Sequence, residues 1–231
     1  MFGANDALRR LGVDAQRLSS PSQAFPMWLV DSVRFQPERA WSLLSDEERA
    51  RADRFRTSAL RARYVAAHGS LRTLLHHCSG VGYNDLRMDF NPFGKPRLAG
   101  FPKLHFNISY GGPYVLIGMG LDNEIGVDIE VIRPISDASE LMQLHYTRGE
   151  QMELWRARMA GLPVSSAFLR IWTRKEACVK ALGSGLDIPL SQVECGLGEE
   201  VETIAFGDAR CRTGTMTCVD DAIMSWARRT P

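Results

Sequence analysis

Twice along this chain a capping box opens a short helix, a longer amphipathic helix follows, and strands close the unit. Ser45-Asp46-Glu47-Glu48 puts serine at an N-cap and glutamate three residues on, a pairing that satisfies two orphan amides of a helix start. A helix through Phe55 is predicted. Leu60, Tyr64, Ala67, Leu71, Leu74 and Leu75 then share one helical face, predicting a helix from Leu60 to His77 that stops at Ser79-Gly80-Val81-Gly82. Thr147-Arg148-Gly149-Glu150 repeats the box and opens a helix that ends before Gly161-Leu162-Pro163. A longer helix over Ser166–Leu182 carries Phe168, Ile171, Trp172, Val179 and Leu182 on one side, with Gly183-Ser184-Gly185 as its cap.

Strands are expected at MWLVDSV from Met27, at LRMDF (86–90), HFNISY (105–110), PYVLIGMG (113–120) and EIGVDIEV (124–131), and at SQVECGL, VETIAFG, MTCVD and MSWARR near the end. PYVLIGMG and EIGVDIEV, joined at Leu121–Asn123, read as a hairpin. The pattern predicts an α+β fold of two similar halves related by a pseudo-two-fold, each a small antiparallel sheet packed on a long helix. The halves are expected at 26–123 and 124–231. Residues 1–25 show little periodicity and are expected to form an extension, with a short helix around Ala7–Leu11.

The chain has 231 residues, 45% hydrophobic and 24% charged, enough for one large domain or two small ones and too apolar for wholesale disorder. A net charge of +1 argues against a nucleic-acid partner. No run approaches the ~20 apolar residues that span a bilayer, and the first residues lack a secretory apolar core. Five cysteines without CxxC spacing read as free thiols of a cytoplasmic protein. Of 28 cations only Lys95, Lys103, Lys175 and Lys180 are lysine, a choice that suits sites needing a compact ammonium.

Along EIGVDIEV the side chains alternate, so Ile125, Val127, Ile129 and Val131 line a core face. Gly126, Asp128 and Glu130 line the other. Two carboxylates side by side repel unless a cation or water lies between them, and a hard cation such as Mg²⁺ takes one or two carboxylates together with phosphate. A solvated strand face would carry the same pattern. On the later helix Trp172, Glu176 and Lys180 recur at i, i+4 and i+8, with Lys175 about 100° away. A glutamate between two of the few lysines suits a metal–phosphate site, and equally an ordinary helix-surface pair.

GVDIE at 126–130, followed some forty residues later by WTRKEACVKALGSGL at 172–186, resembles the paired motifs of the Sfp-type 4′-phosphopantetheinyl transferases. LSDEERARADRF (44–55), RARYVAAHGSLRTLL (61–75), NPFGKPRL (91–98) and HFNIS (105–109) are similar to other segments of that family. The resemblance covers roughly 27–190. It implies a Mg²⁺ enzyme that moves the phosphopantetheine arm of coenzyme A onto a serine of an acyl or peptidyl carrier protein, acting as a monomer. By the same resemblance Asp128, Glu130 and Glu176 are metal ligands, Lys175 and Lys180 contact the phosphates, and Lys180 stabilises the leaving 3′,5′-ADP. Glu150 matches the proposed general base, with a metal-bound water as its rival. Arg51, Arg63, Lys95 and Ser109 match positions that hold the 3′-phosphate and adenine region, with Arg49 and Arg54 as alternatives to the first two. The family's histidine after that serine is Tyr110 here, a phenol without positive charge. An apolar, partly basic rim for an acidic carrier helix is expected within 133–165. Two rival readings are a metal-dependent nuclease and a coenzyme A-binding module without catalysis.

Overall fold

The structure, a computed structural model, describes residues 4–18, 25–183, 188–206 and 209–230. Helix α1 (Ala4–Arg10) leads to β1 (Asp14–Leu18) and β2 (Met27–Asp31), then to α2 (Glu38–Trp41), α3 (Asp46–Ala52) and the 22-residue α4 (Ser58–Ser79). A small ribbon of β3 (Met88–Phe90) and β4 (Pro96–Leu98) precedes β5 (Leu104–Gly111) and β6 (Tyr114–Leu121). The rest comprises β7 (Ile125–Val131), α5 (Ala138–His145), α6 (Arg148–Met159), α7 (Val164–Leu182), β8 (Glu200–Phe206), β9 (Ala209–Met216) and β10 (Ala222–Thr230). Both predicted capping boxes close: Ser45 and Thr147 accept from the amides of Glu48 and Glu150, whose carboxylates accept in return.

Two four-stranded antiparallel sheets result, ordered β1-β2-β6-β5 and β7-β10-β9-β8. Alternation along β2 shows how they stack. Trp28 and Val30 join Tyr64, Leu71, Leu74 and Leu75 of α4 in one core, while Met27 and Leu29 join Ile125, Val127, Ile129, Met224 and Trp226 in a second core between the sheets. On the far side of the second sheet α7 packs against β7 and β10, with Ala177, Ala181 and Ala227 in a third cluster. The architecture is α+β, each sheet carrying one long helix.

Three expectations need correction. The stretch 4–18 belongs to the first sheet rather than to an extension. Strand β1 pairs along β2 from Asp14↔Asp31 to Leu18↔Met27, α1 buries Ala4 and Leu8, and Asn5 Oδ1 accepts from Trp28 Nε1 at 2.7 Å. The hairpin between PYVLIGMG and EIGVDIEV does not form. Both edges of β6 are taken, by β2 and β5, so the chain turns at Asp122 (φ 66°) and β7 starts the second sheet against β10. SQVECGL makes only a 3₁₀ turn at Leu190–Gln192. The carbonyls of Leu190 and Val193 accept from Lys175, and those of Cys195 and Gly196 from Arg174, so they are not offered to a strand. The end of the second motif, Ser184 to Leu186, lies outside the described residues.

Candidate active site

The site is built where the second sheet meets α7. Gly126 lets them meet, since a Cβ there would lie 2.0 Å from the Ala177 carbonyl oxygen and 2.5 Å from the Ala181 amide nitrogen. No side chain fits, so helix and strand backbones come into direct contact. Two residues on, Asp128 points to the same face and is 4% exposed. Its Oδ1 accepts from Lys180 Nζ at 2.5 Å and from Ser109 Oγ at 2.8 Å. Lys180 also lies 3.2 Å from Ser109 Oγ and 3.4 Å from the Val127 carbonyl oxygen. Ser109 comes from β5 of the first sheet, so the cluster bridges the two sheets. Asn107 on the same strand adds a bridge, accepting from the Val127 amide at 2.8 Å.

The second Asp128 oxygen, Oδ2, is buried with no hydrogen-bond partner among the described residues. Glu130 and Glu176, both half-buried, share its field. Burial raises the Glu130 carboxyl pKa first and the Asp128 charge second. Glu176 is raised by burial and by Asp128, against the pull of Lys180. The three predicted ligands therefore feel one another. They do not converge: among the described residues no three His, Cys, Asp or Glu side chains come close enough to hold a metal ion. Instead the Lys180 ammonium sits on Asp128 Oδ1.

Lys175 and Glu150 lie elsewhere. Both side chains are 0% exposed, with Nζ 2.7 Å from Oε2. Lys175 spends its other protons on the carbonyls of Leu190 and Val193. Glu150 accepts from the Thr147 amide at 2.9 Å and the Cys195 amide at 2.8 Å. Every proton of the ammonium and both carboxylate oxygens are engaged, so neither group faces a ligand. Glu150, expected as base, and Lys175, expected at a phosphate, pair with each other here and tie α6 to α7 and to the loop 190–195. Lys95, expected at a phosphate, is likewise engaged, 2.5 Å from Glu124 Oε2 and 3.0 Å from the Ile125 carbonyl oxygen.

Arg51, Arg63 and Tyr110 do come together. Tyr110, next to Ser109 on β5, lies under the Arg63 guanidinium at 5.6 Å, and Arg51 lies 5.7 Å from the ring centre of Tyr64. Arg63 also donates to the Gly112 carbonyl at 2.6 Å. Tyr64 stacks on His68 at 4.0 Å and borders a cleft of about 790 Å³ with Arg51, Arg72, Arg87, Phe90 and Phe106. Arg49, an alternative to Arg51, is occupied: it donates to the carbonyls of Trp41 and Leu44. Sequence reasoning assigned no role to Glu48, whose carboxylate lies 2.9 Å from His68 Nδ1 and 3.3 Å from Arg72 Nη1 in that cleft. It was legible only as a helix cap. Glu124 gave no signal at all.

Comparison with known proteins fits this geometry. The profile described as 4′-phosphopantetheinyl transferase superfamily matches residues 124–219, which hold Asp128, Glu130, Glu176 and Lys180. The one described as 4′-phosphopantetheinyl transferase, N-terminal, matches residues 31–120, which hold Arg51, Arg63, Ser109 and Tyr110. The 4′-phosphopantetheinyl transferase HetI of a Nostoc species is 33% identical over 176 residues, covering 74% of this chain and 73% of HetI. Sfp of Bacillus subtilis, also named a 4′-phosphopantetheinyl transferase, is 28% identical over 163 residues, covering 71% of this chain and 70% of Sfp. AcpT of Salmonella typhimurium, named likewise, is 38% identical over 96 residues, covering 42% of this chain and 49% of AcpT. With both matched segments meeting at the Ser109–Asp128–Lys180 cluster, the chain belongs to the 4′-phosphopantetheinyl transferase family.

Proposed function

We propose that this enzyme transfers the 4′-phosphopantetheine group of coenzyme A to a serine of an apo-carrier protein and releases 3′,5′-ADP. The observation that carries the reading is the bridge of Ser109, Asp128 and Lys180, formed by one residue from the N-terminal family segment and two from the C-terminal one. In the reaction the serine oxygen forms a bond to the β-phosphorus, the bond from that phosphorus to the α-phosphate oxygen breaks, and the serine proton passes to a base. Lys180, 28% exposed, places an ammonium where negative charge grows on the leaving diphosphate oxygen. Ser109 fixes the Asp128 carboxylate. Arg51, Arg63 and Tyr110 hold the nucleotide end of the substrate, guanidinium groups being suited to phosphate.

Asp128, Glu130 and Glu176 would hold a divalent cation once they draw closer together and Lys180 leaves Asp128 Oδ1. One oxygen of Asp128 is buried without a partner, Glu130 and Glu176 have no hydrogen-bond or ion-pair partner among the described residues, and burial together with the Asp128 charge raises the pKa of both glutamates. An oxygen-liking ion such as Mg²⁺, when held there, neutralises diphosphate charge. Both Glu150 oxygens already have partners, which argues for another group as the base. A carrier domain finds a fitting face on α6, which buries Glu150, Leu154 and Ala157 and leaves Met152, Trp155 and Met159 exposed beside Arg156 and Arg158. Apolar residues ringed by arginine complement an acidic helix with apolar residues of its own. Among the described residues no helix is long and apolar enough to cross a membrane, and all five cysteines are free. Incubation with coenzyme A, Mg²⁺ and several apo-carriers, read by intact mass, tests the reading. A gain of one phosphopantetheinyl group on any carrier supports it; coenzyme A binding without transfer to any carrier leaves a binding module.

A further inference from the structure

One cluster outside this chemistry joins the two halves of the chain. Glu124, immediately before β7, has a side chain 12% exposed and gathers three basic groups. Lys95 Nζ lies 2.5 Å from its Oε2, Arg97 pairs with its Oε1, and His105 Nδ1 lies 3.6 Å from Oε2. All three come from the first half, two from the loop and ribbon at 91–98 and one from β5. Lys95 does not stop at Glu124. It donates to the Ile125 carbonyl at 3.0 Å and reaches the Ala181 carbonyl in the last turn of α7 at 3.5 Å. Asn91 completes the contact, donating from Nδ2 to the Gly183 carbonyl at 2.7 Å while its Oδ1 accepts from the amides of Phe93 and Lys95. Ala181 follows Lys180 directly. The final carbonyls of a helix have no intrahelical partner, so here a loop from the other half supplies donors to two of them.

We propose that Glu124 is a positioning residue for the transfer: it holds Lys95 between the halves, so that the loop 91–97 clamps the last turn of α7 and sets Lys180 against Asp128. The inference rests on the transferase reading. It gives Lys95 a task that the buried ion pair explains and a direct phosphate contact does not. Gly126 fixes how close α7 lies to β7, and Arg174 and Lys175 hold the middle of the helix. The clamp adds a hold on its last turn, next to Lys180. A reacting group held by a packed second layer keeps its geometry, and displacement by about 1 Å can cost as much as a hundredfold in rate.

The test compares the wild type with Glu124→Gln, Glu124→Asp and Asn91→Asp in the full chain. Glu124→Gln leaves Lys95 buried without its counter-charge. It is expected to lower kcat about tenfold with KM for coenzyme A unchanged, and to speed amide exchange at residues 180–183. Glu124→Asp keeps the charge and recovers part of both. Asn91→Asp removes the donor to Gly183 and shifts both readouts the same way, which keeps the test alive should Glu124→Gln fail to fold. Wild-type kcat and wild-type exchange at 180–183 in the folded variants overturn the clamp. So does a kcat loss with unchanged exchange at those amides. Absence of transfer by the wild type sinks the transferase reading instead, while the exchange readout still decides whether the clamp exists.

Discussion

Helix α7 carries two lysine–carboxylate pairs five residues apart, and they do opposite things. Lys175 and Glu150 are fully enclosed, and every proton and oxygen of the pair has a partner. Lys180 and Asp128 stand at the margin, the lysine 28% exposed and one aspartate oxygen buried with no partner. A saturated pair can only hold structure, because binding anything would first break a bond it already makes. An unsaturated one has capacity left for a ligand. Both pairs are charged and both lie in the same motif, so charge and motif alone do not separate them. The count of satisfied atoms does.

The sharpest way to break this contrast is to neutralise each carboxylate. Asp128→Asn is expected to lower kcat for carrier modification by about a thousandfold, roughly 4 kcal/mol of transition-state stabilisation. Its melting temperature should stay within a few degrees of the wild type, since the freed ammonium can turn to solvent. Carrier assays and a thermal melt on the same preparation check both. A fall in stability without a fall in rate would reverse the assignment.

Lys175→Met attacks the other pair and leaves Glu150 buried without a counter-charge. Breaking a buried pair in this way costs about 3–5 kcal/mol, read by urea unfolding. Turnover per folded molecule should be retained below the melting transition. The double variant Glu150→Met/Lys175→Met should recover part of the lost stability, because two apolar chains can replace a buried pair more cheaply than one charge can be stranded. A rate loss in Lys175→Met at full stability would return that lysine to the phosphates.

This contrast marks where the sequence stops being legible. The helices, their capping boxes, the core face of EIGVDIEV and the Gly183 cap follow from local rules, and the structure repeats them. The placing of Asp128 and Glu130 opposite the core face was readable from a period of two. Which lysine of the WTRKEACVK stretch would meet Asp128 was not, because Lys175 is turned inward by carbonyls 15 and 18 residues further on. The partner of Lys95 was equally hidden. Glu124 lies 29 residues away in a turn, and nothing in its neighbourhood announces an ion pair. Strand β1 was missed for another reason. An edge strand of five residues, DAQRL, has too few apolar positions to show its period.

Glu124 adds a third pair, saturated like that of Lys175 yet joining the two halves. Burial works to raise its carboxyl pKa, but the His105 ring and the Lys95 ammonium outweigh it and hold the pKa at about 2. A carboxyl lowered in the folded state adds stability that is fully present above its unfolded pKa and is lost as the pH falls through the folded one. The loss should therefore run from about pH 4.5 down to about 2, amounting to roughly 1–3 kcal/mol. Burial lowers the Lys95 pKa, so that lysine works at the other, alkaline end. Acid unfolding of the wild type against Glu124→Gln checks the window, and the variant should lose this acid dependence.

The smallest effect expected lies at the open end of the site, beyond Ser109 on β5. Tyr110 is 37% exposed, beneath Arg63 and beside Arg51, so the positive charge there comes from arginines and the phenol itself offers only a hydrogen bond. An imidazole at the same position would add a charge when protonated. If this end holds the 3′-phosphate of coenzyme A, Tyr110→His should raise the preference for coenzyme A over dephospho-coenzyme A by about 3–5-fold, under 1 kcal/mol, as a half-exposed pair allows. The gain should be largest below about pH 6.5 and fade above it, as the imidazole loses its proton. The comparison needs only kcat/KM for the two substrates with both proteins at two pH values. An unchanged ratio at acidic pH would mean that the phosphate does not reach Tyr110, and the cleft bordered by Tyr64 and Arg51 would then hold it without help from β5.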